Sequence, residues 1–171
     1  MSITAIIQYI LLLLLVAFTI FNIYNFTAGR KRRAAAKAQY ERTLALLEQD
    51  AMAVVKKEKV TFATKMGYIN DQNQGILLAF DKDHELVGVF LSGEYHLIRA
   101  DHFVSATQRY ETHDDKKISN VVVDVETSDT ILTVTFGART YRPSSYLGKF
   151  ILSESQEFAN YIIGHLRPSA Q

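Results

Sequence analysis

A run of uncharged, mostly apolar residues near the start of the chain restricts its fold more than any other feature. Residues 5–26 read AIIQYILLLLLVAFTIFNIYNF, and the first 28 residues contain no Lys, Arg, Asp or Glu. A helix of this length rises about 33 Å, which is enough to cross a hydrocarbon core of about 30 Å. The sequence therefore predicts a transmembrane helix at residues 1–28.

Two other interpretations of this run are a cleaved signal peptide and a buried helix of a globular protein. A signal peptide has a basic start and a shorter apolar run, whereas this chain begins with the uncharged MSITAIIQ. A buried helix needs an apolar surface around it, and no comparable surface is evident downstream. A permanent anchor is therefore the favoured interpretation.

A basic cluster follows the apolar run directly. Because such residues stay on the cytoplasmic side of a membrane, they place the N-terminus outside and the rest of the chain inside. They also favour contact with anionic headgroups, which makes the lipid bilayer an expected partner. The residues of this topology signal are Arg30, Lys31, Arg32 and Arg33.

The next region, residues 29–58, is predicted to contain a helical stalk. It is rich in Ala, Leu, Glu, Gln and Lys, all good helix formers, and apolar residues recur in it at spacings of four and three. The seam consists of Tyr40, Leu44, Leu47, Ala51 and Val54. Two hypotheses stay open: the seam packs on the protein's own domain, or it pairs with a partner helix or a second copy of the chain.

Residues 59–171 are predicted to form a mainly antiparallel β domain with a C-terminal helix. Short runs rich in Val, Ile, Thr, Phe and Tyr alternate with turn residues. The seven candidate strands are KVTFAT, GILLAF, ELVGVFL, EYHLIR, HFVSATQRYE, NVVVDVET and TILTVTFG. A capping-box pattern at Ser153 and Gln156 predicts the start of the helix, and an apolar stripe continues to Leu166.

The order of these elements resembles a pleckstrin-homology-like (PH-like) domain, particularly the bacterial ones found behind single transmembrane helices. The residues that carry the resemblance are LLAFD from Leu77, YHLIRADHFVSA from Tyr95, and the helix at residues 154–166. The resemblance implies an α+β protein, in which an anchor and a stalk precede a PH-like roll or partly open barrel capped by the C-terminal helix. It also implies single-pass insertion in a bacterial inner membrane, with the domain in the cytoplasm.

The composition and the motifs give no indication of catalysis. The chain has no cysteine and a net charge of +1, which excludes thiolate chemistry and does not favour nucleic-acid binding. Its five histidines are scattered, and no phosphate-binding glycine loop or nucleophile elbow is present. We therefore expect a protein that is not an enzyme and that has no cofactor, no metal and no small-molecule substrate.

One segment rich in cations and hydroxyls is a candidate ligand loop. Guanidinium and ammonium groups bind phosphates and carboxylates, although a solvated loop whose tyrosines cover the barrel is the favoured interpretation. The candidate residues are Arg139, Tyr141, Arg142, Ser144 and Lys149. The function predicted from the sequence is a membrane-anchored scaffold or adaptor that binds a protein partner or forms a homo-oligomer. The alternative is a sensor domain for anionic lipid or phosphate at the inner face of the membrane.

Overall fold

The computed structural model describes the backbone of residues 3–83 and 85–167. It describes their side chains except at positions 3–7, 23, 25–29, 32, 33 and 36. The chain divides into two compact units, Met1–Glu41 and Arg42–Gln171. The elements in chain order are α1 (Ile3–Glu58), β1 (Thr64–Ile69), β2 (Gly75–Phe80), β3 (Leu86–Leu91), β4 (Glu94–Arg99), β5 (Phe103–Thr112), β6 (Ile118–Thr127), β7 (Ile131–Gly137) and α2 (Tyr146–Leu166).

The first unit is helical and carries the apolar run. A helix needs about 20 consecutive apolar residues to cross the bilayer core of about 30 Å. Among the described residues, no helix combines the length and the apolar content that a crossing requires. On this finding, the predicted transmembrane helix at residues 1–28 is wrong, and so are the single-pass topology, the outward N-terminus and the inner-membrane localisation.

The second unit has an α+β fold built on two antiparallel sheets. One sheet has four strands in the order β1-β2-β3-β4, and the other has three in the order β5-β6-β7. Their facing sides enclose the main core, in which Leu78, Val89, Val123 and Phe158 are fully or almost fully buried. Phe158 belongs to α2, so this helix completes the core between the two sheets.

The outer side of the four-stranded sheet is also covered, by the last part of α1. Leu47 and Ala51 are buried there against Leu77, Ala79 and Phe90. Strand β2 is therefore buried along its whole length, which explains why its sequence GILLAF is apolar throughout instead of alternating.

Two glycines on this outer side allow the close approach of α1. A Cβ atom on Gly67 would lie 2.7 Å from a methyl carbon of Leu44, and one on Gly75 would lie 2.5 Å from a methyl carbon of Leu47. Both distances are shorter than any normal carbon contact. The sheet surface is thus shaped for this helix.

The first strand is the one that the sequence places incorrectly. It was expected at residues 59–64, whereas β1 runs from Thr64 to Ile69. Helix α1 ends at Glu58, and the next residue, Lys59, has a positive φ of 56°. Phe62 packs edge-on against Phe90 with ring centroids 5.9 Å apart. The alternation of Val60 and Phe62 therefore reflects packing of a connecting segment. The other six strands agree with their predicted bounds to within about two residues.

The C-terminal helix starts earlier than the capping box indicates. Its N-cap is Ser145, whose Oγ accepts a hydrogen bond from the N–H of Gly148. Gly148 lies so close to the carbonyl of Arg142 that a Cβ atom would sit 2.2 Å from its oxygen. Ser153 is therefore inside α2, and the long loop expected up to residue 152 is wrong: the connection is residues 138–145.

Candidate functional site

The predicted ligand loop is fastened to the turn between β1 and β2. One carboxylate oxygen of Asp71 accepts hydrogen bonds from the backbone N–H of Arg139, at 2.9 Å, and from the hydroxyl of Tyr141. Tyr141 is buried, and its N–H and C=O pair with Ile118 at 2.7 and 2.8 Å. Two of the five candidate residues therefore tie the loop to the β domain.

The pKa values at this contact reflect the same interactions. Burial of Asp71 raises the pKa of its carboxyl, but the hydrogen bonds from Tyr141 and from the backbone at Ala138 and Arg139 outweigh it and lower the pKa overall. Burial and the hydrogen bond to Asp71 raise the pKa of the Tyr141 phenol. The pair is thus held as a carboxylate and a neutral phenol, as expected of a structural contact.

The other three candidate residues of this loop, Arg142, Ser144 and Lys149, are exposed around the start of α2. The carbonyl of Arg142 accepts hydrogen bonds from the N–H and the hydroxyl of Ser145, and the N–H of Lys149 donates to the carbonyl of Ser145. These contacts are those of a helix cap. The five predicted residues do not converge on one position where a ligand would sit.

The predicted seam of the stalk lies mainly against the protein's own sheet. Leu47 and Ala51 are buried there, and Leu44 and Val54 pack beside them partly buried. Tyr40 belongs to the first unit and is exposed. Packing on the protein's own domain was one of the two hypotheses for this seam, and the structure shows this packing for four of its residues.

The end of α1 is fixed to β4 by polar contacts. Lys57 Nζ donates to the hydroxyl of Tyr95 at 3.2 Å, and that hydroxyl donates to Glu58 at 3.0 Å. The hydrogen bond to Tyr95 raises the pKa of Lys57.

The predicted basic topology signal is described only in part. Arg30 and Lys31 have exposed side chains, whereas the side chains of Arg32 and Arg33 lie outside the described residues.

A cavity between α2 and β1 was not predicted from the sequence. It has a volume of about 500 Å³, within the usual range for binding sites. Its apolar wall comes from Ala63, Met66, Phe80, Tyr161 and Gly164, and its polar groups come from Thr64, Asp81, Lys82, Asn160 and His165. The combination of apolar surface and polar groups is typical of a binding site.

A hydrogen-bonded pair, His165 and Asp81, forms part of the lining of this cavity. His165 Nε2 lies 2.7 Å from Asp81 Oδ1, and both side chains are largely buried. Burial raises the pKa of the Asp81 carboxyl, but hydrogen bonds from His165 and from the backbone at Leu86 and Glu85 outweigh it and lower the pKa overall. Since the His165 ring also packs on Phe80 at 4.9 Å, this wall of the cavity is held in place without a ligand.

The exposed face of α2 continues from the cavity toward the start of the helix. Residues 147, 150, 154, 157 and 161 are spaced by three and four, so they share one face. Three of them are large and apolar, and each is well exposed: Leu147 at 50%, Phe150 at 45% and Tyr161 at 38%. Glu154 and Glu157 lie between them. We call this face together with the cavity the α2 groove.

The sequence contained a signal for this groove that the prediction missed. The spacing of Leu147, Phe150 and Tyr161 is helical, but Leu147 and Phe150 fell in a segment interpreted as a loop. Once Ser145 is identified as the N-cap, the three side chains fall on one face. The face is distinct from the one that carries Phe158 and Ile162 into the core.

A contact among Ser119, His113 and Glu111 superficially resembles a catalytic arrangement. The Ser119 hydroxyl lies 2.7 Å from His113 Nε2 and donates to Glu111 at 3.4 Å. Ser119 is buried, and the contact fastens the hairpin of β5 and β6.

Comparisons with family models, curated proteins and solved structures find no match to this chain. The resemblance to PH-like domains therefore stays a prediction. Within the described part of the chain, no group of three or more His, Cys, Asp or Glu side chains is placed to hold a metal ion.

Proposed function

We propose that residues 42–171 form a protein-binding module and that the α2 groove is its binding site. The proposal keeps the scaffold or adaptor role predicted from the sequence and does not include a membrane anchor. The observation that carries it is the exposure of Leu147, Phe150 and Tyr161 on one face of α2, next to an apolar cavity.

Exposed aromatic and aliphatic side chains beside a pocket are typical of protein interfaces. Large apolar groups supply most of the binding energy when a partner removes them from water. Single exposed apolar residues are common, but Leu147 and Phe150 are adjacent on one face of α2, and Tyr161 lies on the same face beside the cavity. A partner that covers these side chains and inserts one apolar group into the cavity would bury both.

The geometry of Gly164 supports the same site. This glycine lies inside α2, where glycine costs about 1 kcal/mol relative to alanine. A Cβ atom there would meet no other atom within 4 Å, so packing within the domain does not require a glycine. Its lack of a side chain widens the cavity and lets a bound group approach the helix backbone.

Site-specific photocrosslinking in cells tests this proposal. A benzoylphenylalanine in place of Phe150 should crosslink to a defined partner protein, whereas the same group in place of Tyr110, an exposed residue of β5, should not. A second change, Gly164→Leu, fills the cavity from a position with open space and should abolish the crosslink. Identical products from both positions, or a crosslink that survives Gly164→Leu, would contradict the proposal.

A further inference from the structure

We infer that the α2 groove selects a basic protein segment, in which a Lys or Arg contacts Glu154 and Glu157 and a nearby apolar side chain enters the cavity. This inference rests on the proposed function and adds the chemistry of the partner. Its basis is the placement of two acidic side chains between the apolar ones on the exposed face of α2.

Neither Glu154 nor Glu157 forms an ion pair with a described residue. Glu157 accepts a hydrogen bond from the Tyr161 hydroxyl, an interaction that raises the pKa of that phenol. Within the described part of the chain, the part of the face that carries the two glutamates therefore keeps an unpaired negative charge.

The surroundings of Glu154 disfavour its anionic form. Partial burial of its carboxyl raises its pKa, and repulsion from Glu157 raises it further. A cation from a partner would relieve both effects at once, because it attracts both carboxylates and replaces the water that Glu154 lacks. Such an arrangement favours a basic partner over an acidic one.

The charges at the other end of the groove do not provide that cation. His165 is paired with Asp81, and Lys82 lines the cavity together with Gly164 and forms no ion pair with a described glutamate of α2. From Gly164 back to Glu157 and Glu154 the helix covers about 10 to 15 Å. The α2 groove therefore has an acidic part and a cavity part.

The distances fit a short stretch of partner chain. The middle of the cavity lies five to eight residues of helix, or about 7 to 12 Å, from the two carboxylates. An extended segment covers this distance in about two to four residues. An apolar residue and a Lys or Arg separated by about three positions would therefore engage both ends.

The test measures the binding of two probe peptides to the full chain by fluorescence anisotropy. One is an acetylated eight-residue peptide of alternating leucine and lysine, and the other has glutamate in place of every lysine. The wild-type protein should bind the lysine peptide about tenfold more tightly, as expected for two moderately exposed ion pairs. Glu154→Gln plus Glu157→Gln should remove this preference.

A matched control separates the site from general electrostatics. Glu94→Gln plus Glu126→Gln changes the net charge by the same amount on other surfaces, where these side chains contact His96 and Ser105. This control should retain the preference to within about twofold. Equal losses in both double variants, or no loss in the groove variant, would overturn the inference.

Gly164→Leu distinguishes failure of the inference from failure of the proposed function. If it weakens both peptides while the glutamate changes have no effect, the groove binds protein segments but does not select basic ones. If neither Gly164→Leu nor the glutamate changes alter binding of either peptide, the groove is not the binding site and both proposals fail.

Discussion

At the scale of single residues, the Asp71 carboxylate shows how one side chain fixes a loop that sequence reasoning assigned to a ligand. It joins the β1–β2 turn to the backbone of Arg139 and the hydroxyl of Tyr141. Asn70 strengthens the same corner, since its amide donates to the carbonyl of Thr135 in β7 at 3.3 Å. The corner therefore connects the two sheets through hydrogen bonds.

Removing the Tyr141 hydroxyl tests the strength of this corner. Tyr141→Phe leaves the partly buried Asp71 carboxylate without one donor, so the free energy of unfolding at neutral pH should fall by about 1 to 3 kcal/mol. Urea denaturation measures the change. Tyr110→Phe, at an exposed position, is the matched control and should stay within about 0.5 kcal/mol of the wild type.

The Asp81–His165 pair predicts a pH dependence of stability. The folded-state pKa of Asp81 lies below its ordinary value, so its contribution is complete above the unfolded pKa of about 3.9 and is lost as the pH falls through the folded value. Between about pH 4 and pH 2, Asp81→Asn should therefore lose less stability than the wild type. Asp83→Asn, at an exposed neighbour, should behave like the wild type. Equal slopes for all three proteins would contradict this interpretation.

At the scale of elements, two glycines differ in whether a neighbouring side chain packs against them. Gly75 lies under Leu47 of α1, whereas Gly164 of α2 faces open space. The first is required by packing, and the second is not.

Alanine substitutions at these two glycines should therefore have opposite signs. Gly75→Ala forces Leu47 and the helix to shift and should cost about 1 to 3 kcal/mol. Gly164→Ala removes the backbone entropy of glycine in a helix and should add about 0.5 to 1 kcal/mol. Thermal unfolding of the two variants measures both effects, and destabilisation by Gly164→Ala would show that the glycine has a packing role after all.

At the scale of the whole molecule, the β domain includes part of the helix that precedes it. The sequence placed the domain boundary at residue 59, because the periodicity of the apolar residues changes there, whereas the second compact unit begins at Arg42. The reason is that Leu47 and Ala51 cover apolar residues on the outer side of the four-stranded sheet.

Two fragments of the chain test where the domain begins. A fragment from Arg42 should unfold cooperatively, whereas one from Lys59 exposes Leu77, Ala79 and Phe90. Burying a large apolar side chain contributes about 1.5 to 3 kcal/mol, so losing the contacts of Leu44 and Leu47 should lower the midpoint of thermal unfolding by about ten degrees or more. Size-exclusion chromatography should also show self-association of the shorter fragment. Equal midpoints would place the boundary at residue 59.

The sequence predicted the strands and helices of this domain better than the contacts between them. The alternation of apolar and polar residues predicted β6 and β7 correctly, because each strand has one face in the core. It misplaced β1, because Phe62 is apolar for its packing on Phe90 and not for a place in a strand. It also predicted too short an α2, because the N-cap residue Ser145 lies in a segment rich in turn residues. The α2 groove depends on Phe80 and Tyr161, which are distant in sequence, and only the folded chain brings them together.

The hydrogen bond from Tyr141 to Asp71 has a consequence for folding kinetics. It joins positions 70 residues apart, so it closes a long loop and carries a large entropic cost before any contact compensates for it. We therefore expect this contact to form after the rate-limiting barrier of folding has been crossed. Weakening it should speed unfolding and leave the refolding rate nearly unchanged, so this corner determines how long the folded state lasts.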